Sequence, residues 1–396
     1  MKETKFKDTE IGKIPEEWEV RTINSFCSVK TGPFGSMLHA EDYVAKGTPI
    51  VTTEHFKNGI LPLVGKDIPQ IGIEDLKRMS SYTLTKDDIV FSRVGSVDIN
   101  ALVTVRQKGW LFSGRVLRVR PFKQTDSLYL HYGLLKHSVR SDIVSRAVGL
   151  TMASINTKIL GETELSLPPL NEQRRIASAL TSIDNLIASL GKLIEKKKNI
   201  NQGAMQQLLT GQIRLKGFSE PWGEKKLEEV CSVKRGVRVV KRNLTTDGLY
   251  PVYQNTNFPL GYSNQYNVEA NTPFVIIGGS AGQMGICRER YWAADDCAFF
   301  ACHDIYKEYL YYVLLLNQSN ILHNVRTGTI PRLDRSFLSN MVVYISSNID
   351  EQQAIATILT KMDDEITALE AKRAKYEAIK QGMMQQLLTG KIRLIS

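Results

Sequence analysis

Hydrophobic residues recur at helical spacing in two long stretches of the chain, with alternate steps of four and three positions. Residues at this spacing line one face of an α-helix and are typical of a coiled-coil seam. The pattern therefore predicts two long helices with continuous apolar faces. The apolar positions are Ile176, Leu180, Ile183, Ile187, Leu190 and Ile194 in the first stretch, and Ile355, Leu359, Met362, Ile366 and Leu369 in the second.

Both predicted helices carry residues that suit their two ends. Asn171 and Asp350 are good N-cap residues, because their side chains can accept a hydrogen bond from a free backbone N–H of the first turn. Gly211 and Gly390 lie where a residue in the left-handed conformation would end each helix. Between these limits each helix spans roughly 40 residues, or about 60 Å at 1.5 Å per residue.

The two stretches belong to an internal repeat. At a constant shift of 179, which takes Glu172 to Glu351, NEQRRIASAL matches DEQQAIATIL, and both copies continue into QGxMQQLLTGxIRL. Upstream, Trp18 matches Trp222 at a shift of 204. The chain therefore repeats a variable lobe followed by a near-constant helix, and the second lobe is about 25 residues shorter, from 204 minus 179.

Gly203 and Gly382, at equivalent helix positions, indicate either a close helix crossing or a hinge.

Each lobe combines strand-like and helical segments in the same order. DIVFSRVGSV and ALVTVRQKGWLFSGRVLRVRPF precede the helical YLHYGLLKHSVRSDIVSRA, and TPFVIIGGSAGQMGI precedes YKEYLYYVLLLNQSNILHNV. The predicted fold class is therefore α/β (α+β) lobes plus long helices. We expect a first lobe at 1–168, a central helix at 169–214, a second lobe at 215–347 and a C-terminal helix at 348–396.

Composition narrows the classes of function. Apolar residues make up 42% and charged residues 23% of the chain, which is typical of a folded globular protein. Lys and Arg outnumber Asp and Glu by 51 to 41, and this balance favours a polyanionic partner. No apolar run is long enough to span a membrane. The five cysteines are sparse and odd in number, which suits free thiols in a reducing compartment better than a framework of disulfides. We therefore expect a cytoplasmic protein without a membrane contact.

Motifs for catalysis do not occur in the sequence. An adenine methyltransferase needs an Asn/Asp-Pro-Pro-aromatic loop, and a translocase needs GxxxxGK[ST]; the chain has neither. Cys287, Cys297, Cys302 and His303 lack the paired short spacing of structural zinc sites, so no metal site is predicted. We expect a recognition protein without catalytic residues.

Four segments carry a family resemblance: TEIGKIPEEWEV, LPPLNEQRRIASAL, DEQQAIATIL and the two QQLLTGxIRL endings. Together they resemble specificity subunits of type I restriction-modification systems along the whole chain. The second linker, VYISSNIDEQ, departs from the usual proline pair. The resemblance implies two target recognition domains, at 1–168 and 215–347, each reading one half of a bipartite, asymmetric DNA target. They would be separated by two antiparallel helices that act as a ruler.

The resemblance also implies partners that carry the chemistry. Two methyltransferase subunits and the restriction subunits would hold S-adenosylmethionine, ATP and Mg²⁺, so this chain would need no cofactor. It would direct adenine methylation and restriction without being an enzyme itself. A repeated chain fits this scheme, because two similar units related by a pseudo-twofold can address separated half-sites on double-stranded DNA.

Candidate DNA contacts are Arg, Lys, Asn, Gln, Ser and Thr side chains on loops that contain or follow glycine, because such groups reach phosphates and base edges. Gly149 and Gly328, related by the same shift of 179, mark one such loop pair. A scaffold or solvated role is the alternative for each residue. The candidates are Arg93, Ser96, Asn100, Arg106, Lys108, Arg115, Arg146, Thr151 and Ser154 in the first lobe, and Ser280, Gln283, Arg288, Arg290, Arg326, Thr327, Thr329 and Arg332 in the second.

Two other functions are compatible with these patterns. The helical seams suit a scaffold whose lobes bind proteins, and mixed α/β lobes can form the pocket of an enzyme with an unfamiliar site. A scaffold that binds only proteins would lack the steep salt dependence of DNA binding.

Overall fold

The structure is a computed structural model that describes residues 4–33, 38–63, 68–149, 151–240 and 244–395. It divides into two compact units, Met1–Ser189 with Arg373–Ser396, and Leu190–Lys372. Each unit holds one lobe and part of both long helices, which confirms the predicted fold class of mixed lobes with long helices. The predicted limits of the two recognition domains stay a prediction.

The first lobe contains short strands and helices, and its chain continues into the first long helix. The strands are Phe6–Thr9 (β1), Gly12–Pro15 (β2), Glu19–Thr22 (β3), Cys27–Thr31 (β4), Tyr43–Val44 (β5), Thr48–Val51 (β6), Gln70–Ile71 (β7), Ile89–Ser92 (β8), Asn100–Leu102 (β9), Leu111–Phe112 (β10), Val116–Pro121 (β11) and Glu164–Leu167 (β12). The α-helices are Ile23–Phe26 (α1), Ile73–Arg78 (α2), Ser127–Leu134 (α3), His137–Ser145 (α4), Thr157–Gly161 (α5) and Leu170–Leu208 (α6), and short 3₁₀ turns lie at Ala40–Asp42, Thr53–Phe56, Ser80–Tyr82 and Val105–Gln107.

The second lobe repeats this element order with fewer strands in the described residues. Its strands are Trp222–Lys226 (β13), Cys231–Arg235 (β14), Tyr250–Tyr253 (β15), Gly261–Ser263 (β16), Pro273–Ile276 (β17), Met284–Ile286 (β18), Trp292–Ala293 (β19), Cys297–Cys302 (β20) and Val342–Ser346 (β21). Its helices are Leu227–Val230 (α7), Lys307–Leu316 (α8), Gln318–His323 (α9) and Arg335–Asn340 (α10), and the second long helix is Ile349–Leu387 (α11).

The main sheet has the same antiparallel order in both lobes. In the first lobe it is β4-β11-β8-β9, and in the second it is β14-β20-β17-β18. A smaller sheet has one parallel pair in each lobe, β10 with β6 and β19 with β15. The strands β8 and β17 are buried along their whole length because both of their faces are covered by apolar side chains. The internal sequence repeat is therefore also a structural repeat.

Each lobe shares its hydrophobic core with the ends of the long helices in its own unit. In the first unit, Phe91 of the main sheet belongs to one cluster with Ile176 of α6 and Leu387 of α11. In the second, Phe300 belongs to one cluster with Leu208 of α6 and Ile355 of α11. The predicted apolar stripe is thus buried against a lobe at the start of each helix, whereas Ile187, Met362 and Leu369 further along are half-buried.

The two helices run antiparallel within each unit. In the first unit Lys380 Nζ lies 2.6 Å from Asp184 Oδ1, and in the second Lys197 Nζ lies 2.7 Å from Glu365 Oε1. Asn201 Nδ2, further along α6, donates to Asp363 Oδ1, which precedes Glu365 on α11. As the position on α6 rises, its partner on α11 falls, which confirms the predicted antiparallel orientation.

The helix ends agree with the prediction at the C-terminus but differ at the N-terminus. Gly211 and Gly390 both have a φ of +70°, the left-handed conformation expected for them. The N-cap predictions are wrong, because α6 and α11 begin one residue earlier than Asn171 and Asp350. Asn348 caps α11, since its Oδ1 accepts from the backbone N–H of Glu351 at 3.0 Å.

The glycines inside the long helices do not mark a close crossing. A Cβ added at Gly203 or Gly382 would have no described atom within 4 Å apart from its own helix turn and chain neighbours. Both positions are therefore open, and the prediction of a close helix crossing is wrong.

Candidate nucleic-acid interface

Three loops of the first lobe lie side by side at one end of the main sheet. We call residues 93–99, 113–115 and 148–154, without residue 150, loop surface 1. The backbone N–H of Arg93 donates to Arg115 O at 3.0 Å, and that of Gly95 donates to Ala153 O at 2.8 Å. Segments that are far apart in the sequence therefore form one continuous surface.

Loop surface 1 presents several predicted contact residues to solvent. Ser96, Arg115 and Thr151 are exposed, and Ser154 is half-buried. Arg93 has a different position, because its Nη1 donates to Gly114 O at 2.8 Å and its Nε to Ile155 O at 3.3 Å. We infer that Arg93 braces the three loops.

The second lobe builds the same surface from equivalent loops. We call residues 277–283, 294–296 and 326–332 loop surface 2. The backbone N–H of Ile277 donates to Asp296 O at 2.8 Å, and that of Gly279 donates to Pro331 O at 3.2 Å. Gly279 has a φ of +90°, and an added Cβ would lie 2.9 Å from Asn255, so this turn requires glycine.

Six of the eight predicted residues of the second lobe lie on loop surface 2. Arg332 Nη1 donates to Asp296 Oδ1 at 2.9 Å, which orients the guanidinium while 54% of the side chain stays exposed. The side chain of Arg326 is 81% exposed, and its Nη2 lies 3.8 Å from Asp334 Oδ2. The other members are Ser280, Gln283, Thr327 and Thr329, of which Ser280 is half-buried and the rest are exposed.

The loop pair at Gly149 and Gly328 is offset by one residue from the predicted match. Val148 and Ser154 exchange backbone hydrogen bonds, as do Arg326 and Arg332. The shift between these two pairs is 178, from 326 minus 148. The counterpart of Gly149 is therefore Thr327, because one extra residue precedes the second long helix.

Four predicted residues lie beyond the opposite end of the hairpins that carry the loop surfaces. Arg106 and Lys108 are exposed and follow β9, on the side where Ile89 pairs with Leu102. In the second lobe, Arg288 forms an ion pair with Asp364 of α11, and Arg290 lies 3.0 Å from Glu269. These hydrogen bonds raise the pKa of Arg288 and Arg290. The structure thus separates these four residues from the loop surfaces.

Two predicted residues form hydrogen bonds inside the first lobe. Asn100 is fully buried, and its Oδ1 lies 2.6 Å from Nδ1 of His131. Burial, with the nearby Lys380, lowers the pKa of His131 to about 4. Arg146 Nη1 donates to Ile159 O at 3.0 Å, and its Nη2 donates to Thr163 Oγ1 at 2.6 Å. We therefore leave Asn100 and Arg146 out of the proposed interface.

Basic residues that were not among the predicted contacts lie beside loop surface 2. Arg235, at the end of β14, donates from Nε to Asp295 O at 2.7 Å, and both Arg235 and Arg238 are exposed. The backbone N–H of Val237 donates to Ala293 O at 2.9 Å, which holds this segment beside the loops. The run RGVRVVKR directly after the repeated CSVK was the available sequence signal.

A basic cluster lies on the main sheet of the first lobe. Arg120 binds Asp88 with its Nε at 2.6 Å and its Nη2 at 2.7 Å, and this hydrogen bonding raises the pKa of Arg120. Burial, together with Arg118 and Arg120, lowers the pKa of Lys30. Three cations thus lie close to one another on this sheet, and within the described residues Arg120 alone is hydrogen-bonded to a carboxylate, so the excess positive charge favours an anionic neighbour.

Cysteines and potential metal ligands are scattered in the described ranges. No three His, Cys, Asp or Glu side chains there are grouped so that they could hold a metal ion. Burial raises the pKa of the Cys231 and Cys302 thiols to about 12. Among the helices of the described ranges, none combines the length and the apolar composition that a membrane span requires.

Comparison of sequences gives one family and several relatives of similar length. The family described as "Type I restriction modification DNA specificity domain" matches residues 15–200 and 219–381. The putative type I restriction enzyme MjaX specificity subunit of Methanocaldococcus jannaschii is 26% identical over 433 residues, which cover 99% of this chain and 98% of that protein. The MjaVIII specificity subunit of the same organism is 27% identical over 436 residues, which cover 99% and 97%.

Comparison of structures gives the same fold. The crystal structure of a type I restriction-modification S subunit from M. genitalium is similar with a TM-score of 0.69 at 18% identity, covering 93% of this chain and 96% of that one. A chain from a structure concerned with complex assembly and conformational transition of the type I system has a TM-score of 0.54 at 14% identity, covering 96% and 99%. At these identities the likeness concerns the fold alone.

Proposed function

The chain belongs to the specificity subunits of type I restriction-modification systems, and we propose that it reads a bipartite, asymmetric DNA target and directs adenine methylation and restriction by partner subunits. The observation that carries this proposal is the loop surface that is built twice at the same end of the same sheet. Both copies present hydroxyl, amide and guanidinium groups, which are the groups that contact bases and phosphates.

The two loop surfaces differ in their side chains, and this difference supports an asymmetric target. Ser96 and Ser280 occupy equivalent turns after β8 and β17, but Ser154 of the first lobe corresponds to Arg332 of the second. Because each good base contact discriminates by about 1–3 kcal/mol, such changes are enough to select different half-sites. Each lobe would therefore act as one target recognition domain.

The proposed partners are two methyltransferase subunits and the restriction subunits, which would carry S-adenosylmethionine, ATP and Mg²⁺. Gln202 with Gln381, and Gln206 with Gln385, are identical and exposed in both copies of the repeat. Exposed side chains contribute little to stability. Their identity in both copies therefore favours a partner that binds twice. Work on DNA with these partners would place the complex in the cytoplasm.

Methylation mapping tests the proposal. The chain would be purified with its methyltransferase, and modified adenines would be mapped on genomic DNA. We expect a two-part motif of which one half changes when residues 20–165 are replaced by the lobe of a relative. An unchanged motif would contradict the proposal. Measuring the affinity of the complex for DNA at rising salt distinguishes a DNA-binding subunit from a scaffold that binds only proteins. Contacts to phosphates give the DNA-binding subunit a steep salt dependence, which the scaffold would lack.

A further inference from the structure

We propose that Glu172 and Glu351 are positioning residues, each of which fixes one recognition lobe on the helix ends of its own unit and thereby restricts the gap accepted between the two half-sites. The inference rests on the proposed function. It concerns how each lobe is held on its helices and not which bases the lobe contacts. We call the groups Trp18–Glu172–Arg393 and Trp222–Glu351–Arg214 junction 1 and junction 2.

Junction 1 joins three segments of the first unit at one buried carboxylate. Trp18, just before β3, donates from Nε1 to Glu172 Oε2 at 3.1 Å. Arg393, beyond the end of α11, donates from Nε to Oε1 at 2.7 Å and from Nη2 to Oε2 at 2.8 Å. Glu172 in the first turn of α6 is only 3% exposed and Trp18 is fully buried. The lobe, the start of one helix and the segment after the other are thus tied together.

Junction 2 repeats this arrangement with the roles of the two helices exchanged. Trp222 Nε1 donates to Glu351 Oε2 at 2.9 Å. Arg214 donates to the same carboxylate, from Nε to Oε1 at 2.6 Å and from Nη2 to Oε2 at 2.9 Å. Ser346 Oγ adds a fourth hydrogen bond at 2.6 Å. Here the carboxylate lies in the first turn of α11, and the arginine follows the end of α6. The chain has kept the same contacts twice while the lobes diverged.

These contacts add direction to an otherwise apolar lobe–helix contact. Apolar burial is non-directional, so packing of Ile176 or Leu387 alone would permit a small tilt of the lobe. Charge-assisted hydrogen bonds to a buried carboxylate are short and directional, and bidentate arginine pairs fix geometry as well as energy. The glycine that ends α6 lies directly against the indole of junction 2, since a Cβ added at Gly211 would be 3.4 Å from the Trp222 ring.

Fixing the lobe matters because DNA presents its bases in discrete steps. Neighbouring base pairs are about 3.4 Å apart along the duplex. A lobe that tilts on its helix ends could bring its loop surface to the next step and accept a gap one base pair longer or shorter. The rigid junctions would then account for a single accepted gap.

The test uses the complex of this chain with its methyltransferase subunits. Glu172→Gln keeps the shape of the side chain and the acceptor for Trp18 but removes the buried charge that pairs with Arg393, which would keep only its ion pair with the exposed Glu17. Methylation rates would be measured on duplexes with the native gap and with gaps one base pair shorter and longer. We expect the preference for the native gap to fall at least tenfold. The matched control is Glu370→Gln, which removes an exposed ion pair with Lys198 between the helices; its preference should be unchanged.

Thermal unfolding separates positioning from stability. A lower melting temperature with an unchanged gap preference would overturn the inference, because it would leave Glu172 a stabilising role only. Should Glu172→Gln not fold, Trp18→Phe decides the matter, since it removes one N–H donor and keeps an aromatic ring in the core. A wild-type complex that modifies no two-part motif would instead overturn the proposed function.

Discussion

At the scale of single residues, the arginines of the first lobe occupy three different environments, which differ in how far each side chain is buried. Arg115 is exposed on loop surface 1, whereas Arg146 donates to backbone and side-chain oxygens of its own lobe. Arg118 is only 6% exposed, and its Nε has no hydrogen-bond partner among the described residues. The sequence pattern predicted one role for Arg115 and Arg146 alike, because local composition does not report which carbonyls the fold brings near.

Replacing Arg115 by alanine should affect DNA binding, whereas replacing Arg146 by alanine should affect the stability of the lobe. We expect Arg115→Ala to weaken DNA binding. If Arg115 contacts a base, the loss of binding free energy should be about 1–3 kcal/mol; if it contacts a phosphate, the slope of log K against log salt concentration should become smaller by about 1. The melting temperature of the Arg115→Ala variant should not change. Arg146→Ala should lower the stability of the lobe by about 1–3 kcal/mol. Fluorescence anisotropy at several salt concentrations and thermal unfolding measure the two effects, and unaltered DNA binding by Arg115→Ala would exclude it from the interface.

The carboxylate of junction 2 should make the second unit sensitive to acid. Burial alone would raise the pKa of Glu351, but hydrogen bonds from Arg214, Ser346 and Trp222 outweigh it and lower the pKa below its ordinary value of 4.5. A lowered folded-state pKa stabilises the fold above the ordinary value, and this contribution is lost as the pH falls through the folded-state pKa.

Urea unfolding of wild type and Glu351→Gln between pH 7 and pH 3 tests this acid dependence. Below about pH 4.5 the wild type should lose stability more steeply than the variant, which has no charge to protonate at this position. Parallel curves for the two proteins would show that Glu351 does not carry the effect.

At the scale of elements, the long helices were predictable and several of their details were not. The apolar stripe and the terminal glycines were enough to predict two helices, because both signals are local. The start of α11 was not predictable, since Asn348 and Asp350 are equally good caps by residue type, and only the structure shows that Asn348 Oδ1 accepts from the backbone N–H of Glu351. In the first lobe, the single predicted helical segment breaks into α3 and α4, because Lys136 is extended between them.

Alanine at the open helix glycines should stabilise the isolated chain. Gly203→Ala and Gly382→Ala place a methyl group where the structure has space, so each should stabilise the helix by up to about 1 kcal/mol. The control is Gly390→Ala, which should destabilise by more than about 1 kcal/mol, because its φ is +70° and the new Cβ would overlap the ring of Pro15.

Chemical denaturation measures these changes, and co-purification with the methyltransferase adds a second readout. A variant at Gly203 that is more stable but no longer binds the partner would identify this open helix face as its docking surface. Destabilisation by Gly203→Ala would instead indicate a contact that the described structure does not contain.

At the scale of the whole molecule, the repeat was the strongest signal in the sequence, because identical segments at a fixed shift need no knowledge of packing. It predicted two lobes, two helices and their order, and the structure confirms all three. It could not predict the loop surfaces, since each joins segments that are distant in the sequence, such as those of Gly95 and Ala153, whose proximity arises only when the sheet forms. Six of the seventeen candidate residues lie elsewhere for this reason.

Lengthening both helices together should change the gap between half-sites and leave the half-sites themselves intact. One added heptad in α6 and one at the paired level of α11 keeps the apolar seam in register and adds about 10 Å to each helix. That length corresponds to about three base pairs. Methylation mapping of this variant should give the same two half-sites with a longer gap, and a change in either half-site would show that lobes and helices do not act separately.

Junction 1 also has a consequence for biosynthesis. The arginine that completes it lies 221 residues after the glutamate it binds. A ribosome therefore has to translate the second lobe and the whole of the second long helix before the first lobe can be locked in place. Until then the first lobe lacks this anchor, and a chain that terminates just before Arg393 would never acquire it.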